Sequence, residues 1–276
     1  MRRIVAVVLL ATAPAVAGCG GGGNPSPALT QTAAKLGTIR SGDLTLSLRV
    51  QPHGKGSEFG FELSGPFSLG KKGSLPVADV EYTQTANGQQ ATARLISTGT
   101  KAYVQVGEST YALPAAQTEE LRAATADLRS GGGLAQLDIG NWVEHPELSD
   151  GGDVGGATTD HVHSGLNTAA AVGDLLSLSR GFGSIAPMLD ARSRKRLVSA
   201  TKSADLDLWT GKRDRLLRRL QIKADFGLAV PDALASALGT TVGAAVDFDL
   251  QIDDPNKTVH VSAPVHPLPA SQFPGG

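Results

Sequence analysis

From Ser41 onward, apolar and polar residues alternate with a period of two. Leu44, Leu46, Leu48 and Val50 stand opposite Asp43, Thr45, Ser47 and Arg49. Successive side chains of a strand point to opposite faces, so this spacing predicts a strand with one buried face. Phe59, Phe61 and Leu63 repeat the pattern. Ala78, Val80 and Tyr82 repeat it again, against Asp79, Glu81 and Thr83. Ala91, Ala93 and Leu95 follow an Asn87-Gly88 pair, a strong hairpin signal between alternating runs. Ala102, Val104 and Val106 alternate with Tyr103 and Gln105. Five consecutive strands with turn residues between them predict an antiparallel meander.

The period then changes. A short helix is predicted over Ala28–Gly37, before the first strand, with Leu29, Ala33 and Leu36 on one side. A second is predicted over Pro114–Leu128, with proline in the first turn and acids early. A third over Asn167–Ser179 carries Ala170, Val172, Leu175, Leu176 and Leu178 on a broad apolar face. A basic helix is predicted over Asp190–Lys202.

Strands return in the second half. Val154–His163 reads as a short polar strand, and Leu206 and Leu208 alternate with Asp205, Asp207 and Trp209. Leu216–Phe226 follows. Ala244, Val246, Phe248, Leu250 and Ile252 alternate most clearly of all, and Val259 and Val261 close the set. The proline-rich tail Pro264–Pro274 is expected to be loose.

Roughly nine to eleven one-faced strands and two or three helices predict an α+β fold: a curved antiparallel β half-barrel with helices packed on its concave face. A closed up-and-down barrel of lipocalin type is the alternative, and the mid-chain helices fit it poorly. No domain boundary is visible after Gly37, so residues 38–276 are expected to form one domain.

The N-terminus follows different logic. Arg2 and Arg3 precede an apolar run, Ile4–Ala13, broken only by Thr12. A membrane-spanning helix needs about 20 apolar residues, so this run has the proportions of a secretory signal peptide. Val16-Ala17-Gly18-Cys19 resembles the bacterial lipobox: an aliphatic residue, two small residues, then cysteine. Residues 1–18 are therefore expected to be a lipoprotein signal peptide, with Cys19 lipidated on the extracytoplasmic side of the cell membrane. Acyl anchoring gains about 0.8 kcal/mol per buried CH₂. Residues 19–37 read as the lipidated cysteine and a flexible Gly/Pro tether, Gly20–Pro27 being almost all glycine, proline and serine.

Composition narrows the function classes. Hydrophobic residues are 41% and charged residues 18%, which supports a sizeable core and excludes a disordered chain. Twenty-five Lys+Arg against 26 Asp+Glu give a formal charge of −1, against a strongly basic nucleic-acid binder. One cysteine in 276 residues excludes an internal disulfide and a cysteine metal cluster.

Several phrases carry a family resemblance. They are Gly42-Asp43-Leu44, Lys101–Val106, Asp153–Val162 with Gly165 closing the turn, and Asp207–Gly211 with Leu216–Arg219 after it. In this order, with the lipobox, the chain from about Leu36 to Ala263 resembles the actinobacterial LppX/LprG lipoproteins, of the LolA/LolB-like half-barrel group. The resemblance implies a lipid-binding cavity between sheet and helices, and an acylated lipid or glycolipid as ligand. Leu44, Leu46, Leu48, Phe59, Phe61, Val80, Tyr82, Leu95 and Val104 on the strands would line it, with Leu175 and Leu176 on the helix lying across it. It implies no catalytic residue and no cofactor. The chain departs from the pattern in its inserts, about Pro114–Gly140 and Gly181–Lys202. The same apolar faces also suit a solid core, and with it an envelope scaffold or protein-interaction lipoprotein.

Other candidate chemistry is thin. His161 and His163 share a strand face beside Asp160 and could both reach one ion, but the third ligand is unplaced among Asp153, His145 and His260. Two histidines on a wet face are the simpler reading, and no metal site is assigned. Neither G-x-S-x-G nor H-E-x-x-H occurs. Asp205, Asp207, Asp247, Asp249 and Asp253 alternate with apolar residues as a solvated sheet face does. Arg192, Arg194, Lys195 and Arg196, and Lys212, Arg213, Arg215, Arg218 and Arg219, could touch anionic headgroups at about 1 kcal/mol each.

Overall fold

The structure, a computed structural model, describes residues 25–130, 133–179, 191–227 and 243–273. Alternation builds an eleven-stranded antiparallel sheet in the order β6-β5-β4-β3-β2-β1-β11-β10-β9-β8-β7. The meander runs through β1 (Ser41–Pro52), β2 (Phe59–Ser68), β3 (Val77–Ala86), β4 (Gln89–Thr98), β5 (Ala102–Val106) and β6 (Ser109–Ala112). The second half supplies β7 (Val143–Val154), β8 (Ala157–Leu166), β9 (Thr201–Gly211), β10 (Leu217–Phe226) and β11 (Ala244–Asp253). β11 returns to pair with β1, so the two halves join at the centre, and β6 and β7 are the outermost strands.

The helices are α1 (Pro25–Lys35), α2 (Ala115–Arg129), α3 (Ile139–Trp142), α4 (Thr168–Ser179) and α5 (Ala191–Ser199). Three of them cover the half of the concave face made by β8–β11. Ala28 and Leu29 of α1, Ile139 and Trp142 of α3 and Ala171 of α4 form one buried cluster with Val162, Leu206, Leu208, Leu220 and Ile252 of the sheet. α1 therefore belongs to the core, although it lies within the stretch read from the sequence as tether. Thr32, fully buried on α1, shares a 2.6 Å hydroxyl hydrogen bond with Thr210 of β9. A buried hydroxyl is costly without a partner, so this pair fixes where the helix sits on the sheet. α3 and α4 are joined at Asp174, whose Oδ2 accepts from the Trp142 indole N–H and the Asp138 backbone N–H, both at 2.9 Å.

α2 begins immediately after Pro114, as expected, and ends at Arg129. The Arg129 guanidinium donates to the Leu69 and Ser74 carbonyls (2.6 and 2.9 Å). That ties the helix end to the β2–β3 connection. The pairing of β2 with β3 lapses at Gly65-Pro66, with the same register on either side. Gly65 sits at φ 133°, and a Cβ there would lie 2.2 Å from the Asp79 carbonyl oxygen. Only glycine allows the neighbouring backbone so close.

Four expectations change. Val154–His163 is not one strand: Gly155 and Gly156, at φ 58° and 73°, turn the chain there between β7 and β8. β6 and most of β7 have too little apolar alternation to be read in advance. Val259 and Val261 lie in no strand, and the tail beyond them is docked on β6 rather than loose. Of the expected basic helix Asp190–Lys202, Asp190 lies outside the described residues, and the helix ends at Ser199 because β9 begins at Thr201.

Candidate functional site: the apolar concave face

Paired residues on neighbouring strands point to the same side, so the register sorts the two faces. All nine strand positions singled out in the sequence fall on the concave face. One transverse row is Ile252, Leu44, Gly65, then Val80, Leu95, Val104 and Tyr111. The next is Leu148, Val162, Leu208, Leu220, Leu250, Leu46, Leu63, Tyr82, Ala93 and Val106. A third is Leu206, Ile222, Phe248, Leu48, Phe61, Gln84 and Ala91, and a fourth places Val246, Val50 and Phe59 together. Phe61 and Tyr82 also meet as a tilted ring pair, with centroids 6.1 Å apart.

Burial along the second row shows where the helix cover ends. Val162 and Leu208 are 0% exposed, Leu220 1% and Leu250 4%. Leu46, Leu63, Tyr82 and Ala93 are half-buried, and Val106 is 47% exposed. The face under α1, α3 and α4 is thus a filled core. The face of β1–β5 continues the same apolar rows in partial contact with solvent. Leu44, Leu46, Leu48, Phe59, Phe61, Tyr82, Leu95 and Val104 are half-buried there, and Val80 is buried. Leu175 and Leu176 lie on α4, but their side chains fall outside the described residues, as does Cys19. Alternation pointed to this face. The sequence offered no sign that Tyr111, Leu268 and Phe273 stand at its rim, because the last two lie in the proline-rich tail.

The convex face carries polar rows, although Ile96 and its partner Tyr103 are buried on that side of β4 and β5. One row reads Ser149, His161, Trp209, Arg219, Gln251, Thr45, Ser64, Glu81, Arg94, Gln105 and Thr110. His161 stacks on Trp209 at 4.5 Å and 14°, and the Arg219 guanidinium lies 5.1 Å from the same indole. Arg219 also forks onto Asp249, a hydrogen bond that raises the pKa of the guanidinium despite its partial burial. His161 and His163 converge on a single oxygen, Asp207 Oδ1, at 2.7 and 2.9 Å. Ser149 bonds His161 Nδ1 at 3.2 Å. The histidines are therefore held by a carboxylate on the next strand. Among the described residues, no group of three His, Cys, Asp or Glu is placed to hold a metal ion.

The aspartates of β9 and β11 sit on this face among basic neighbours. Asp205, Lys223, Asp247 and Arg49 alternate in sign across four adjacent strands. Asp43 is opposite Asp253, with Asp254 beside them, and partial burial with these two like charges pushes its carboxyl up. In the basic run after Gly211, Arg218 is buried, Lys212, Arg215 and Arg219 are half-buried and Arg213 is exposed. Lys212 pairs with Asp150 (3.1 Å), Arg215 with Asp160, and Arg218 with Asp214 (2.6 Å). Lys195 and Arg196 on α5 are exposed.

No family model and no curated protein matches this chain. Solved structures that align with it include LprF from Mycobacterium bovis, at 12% identity and a TM-score of 0.46, covering 89% of this chain and all of that one. MucB aligns at 12% identity and a TM-score of 0.30, over 93% of this chain and 64% of its own. A LolA superfamily protein from Nitrosomonas europaea aligns at 10% identity and a TM-score of 0.20, over 84% and 94%. The chain's own register and helix packing make it an α+β protein: an open, curved antiparallel half-barrel with helices on its concave face.

Proposed function

We propose that the chain is a lipid-anchored, extracytoplasmic lipoprotein of the LppX/LprG type that binds an acylated lipid on the concave face of β1–β5. The observation that carries this reading is the second concave row. It is filled core from Val162 to Leu250 and becomes half-exposed from Leu46 to Val106 without losing its apolar character. Acyl chains suit such a surface because they leave water without demanding directional bonds. Leu44, Leu46, Leu48, Phe59, Phe61, Val80, Tyr82, Leu95 and Val104 would contact the tails, with Leu175 and Leu176 of α4 beside them. Binding is non-catalytic, and the ligand is an acylated lipid or glycolipid.

On this reading residues 1–18 are a lipoprotein signal peptide that directs the domain out of the cytoplasm, and acyl chains on Cys19 anchor it to the membrane. No helix among the described residues is long and apolar enough to cross a membrane. The filled core under α1, α3 and α4 favours a second reading, an envelope scaffold that binds a protein partner.

Native mass spectrometry separates the two. The chain from Gly20 retains every described element; it would be purified from a lipid-containing host. The lipid reading expects one co-purifying acylated lipid per chain, identified in the same run. A clean apo mass, unchanged after incubation with envelope lipid extract, overturns it in favour of the scaffold.

A further inference from the structure

The C-terminal segment is fastened to the sheet at two distant places. The first is at the start of β1. The Asn256 N–H donates to the Ser41 carbonyl (2.8 Å), the Ser41 hydroxyl to the Lys257 carbonyl (2.7 Å), and the Arg40 N–H to Asn256 Oδ1 (2.8 Å). The second is on β6, beyond β2–β5 in the strand order. There Leu268 forms a parallel bridge with Tyr111. Its N–H donates to the Thr110 carbonyl, and its carbonyl accepts from the Ala112 N–H, both at 2.8 Å. A 3₁₀ turn over Ala270–Gln272 then sets Phe273 edge-on to the Tyr111 ring, with centroids 6.1 Å apart at 82°. Between the anchors, Thr258–Pro267 makes no backbone-to-backbone hydrogen bond to the sheet among the described residues. Val265 in that stretch is 82% exposed.

The side of the sheet matters. Tyr111 belongs to the concave row of Val80, Leu95 and Val104. Leu268, its bridge partner, shares that side, and Phe273 meets Tyr111 there. The strap therefore extends the apolar face past β6. α1, α3 and α4 close the opposite half of the same face with a packed core. On the β6 side, among the described residues, the strap is held by a bridge of two backbone hydrogen bonds and one aromatic contact.

We propose that this strap is the removable outer wall of the ligand face, and that acyl chains reach and leave the face when Leu268–Phe273 detaches from β6. The proposal rests on the lipid-binding reading above and adds to it a route and a gate. Local openings of this kind occur where backbone hydrogen bonds are few and buried contacts sparse.

The test is stopped-flow binding and release of 11-(dansylamino)undecanoic acid. It uses the full chain carrying Cys19→Ser, so that engineered cysteines are the only thiols. The Tyr111→Cys/Leu268→Cys double variant locks the strap when oxidised and frees it when reduced. Oxidation is expected to slow both association and release at least about tenfold relative to the same protein reduced, with little change in affinity. Phe273→Ala, which keeps the bridge, is expected to speed both rates about two- to tenfold. Probe bound by the parent, with rates unchanged in Phe273→Ala and equal in the oxidised and reduced double variant, overturns the strap and leaves lipid binding standing. A parent chain that takes up no probe overturns the lipid-binding reading itself, and the strap with it.

Discussion

Leu206 and Leu48 lie in one concave row, separated by Ile222 and Phe248, and replacing each by alanine compares the covered and open parts of the face. Leu206 is 0% exposed and sits in the cluster under the helices. Its truncation removes buried methyl groups and leaves a cavity, at about 2–5 kcal/mol. Leu48 is half-buried and outside that cluster, so its truncation loses part of a transfer term and leaves no enclosed void. That is about 1 kcal/mol. In a chain of this length each kcal/mol lowers Tm by about 2–4 °C. Leu206→Ala should therefore melt roughly 4–20 °C below the parent, and Leu48→Ala only about 2–4 °C below it. Leu48→Asp should fold, because its carboxylate can reach water, yet lose lipid binding about a hundredfold or more because the charge meets an acyl chain. Thermal and urea unfolding give the first comparison, and titration with the dansyl fatty acid gives the second. The reasoning is refuted if Leu48→Ala costs as much as Leu206→Ala, which would mean a sealed core at β1. It is refuted equally if Leu48→Asp folds and binds the probe like the parent.

Asp174→Ala should destabilise by about 1–3 kcal/mol, since it strands the indole N–H of the buried Trp142, whereas the exposed Asp138 N–H can turn to water; urea unfolding and a shift in tryptophan emission would show it. Asp174→Asn, which keeps one acceptor oxygen, should recover part of the loss. Gly65→Ala should cost more than about 2 kcal/mol, because φ 133° and the nearby Asp79 carbonyl both oppose a side chain; an unchanged Tm would refute the close approach. Asp214 bears on acid stability. Burial pushes its carboxyl up, but the Leu216 N–H and the Arg218 guanidinium outweigh that and hold it below the usual range. A carboxylate lowered by folding stabilises the protein above about pH 4 and loses that contribution as pH falls through its folded value. Asp214→Asn should therefore be less stable than the parent at pH 7 and show a shallower fall in Tm below about pH 4, the two profiles converging in acid.

The face-sorting of the sheet was legible in the residues alone. Leu44, Leu46 and Leu48 in β1 and Ala244–Ile252 in β11 alternate so regularly that a one-residue slip would turn every apolar side chain outward. The helices α2 and α4 were legible from Pro114 and from the apolar face after Asn167. Chain-local patterns carry such information because period and turn chemistry act over a few residues. The pairing of β11 with β1, which brings the two halves into one sheet, depends on contacts two hundred residues apart, and no local pattern encodes it. The same holds for Thr32 meeting Thr210, for Asp207 receiving both histidines, and for Leu268 and Phe273 reaching Tyr111. The sequence by itself determined the α+β class and which residues are apolar on each strand. Only the tertiary structure decided which stretch of that apolar face is filled by helices and which is left half-open. Cover is a property of what packs above a residue, whereas alternation records only which way it points.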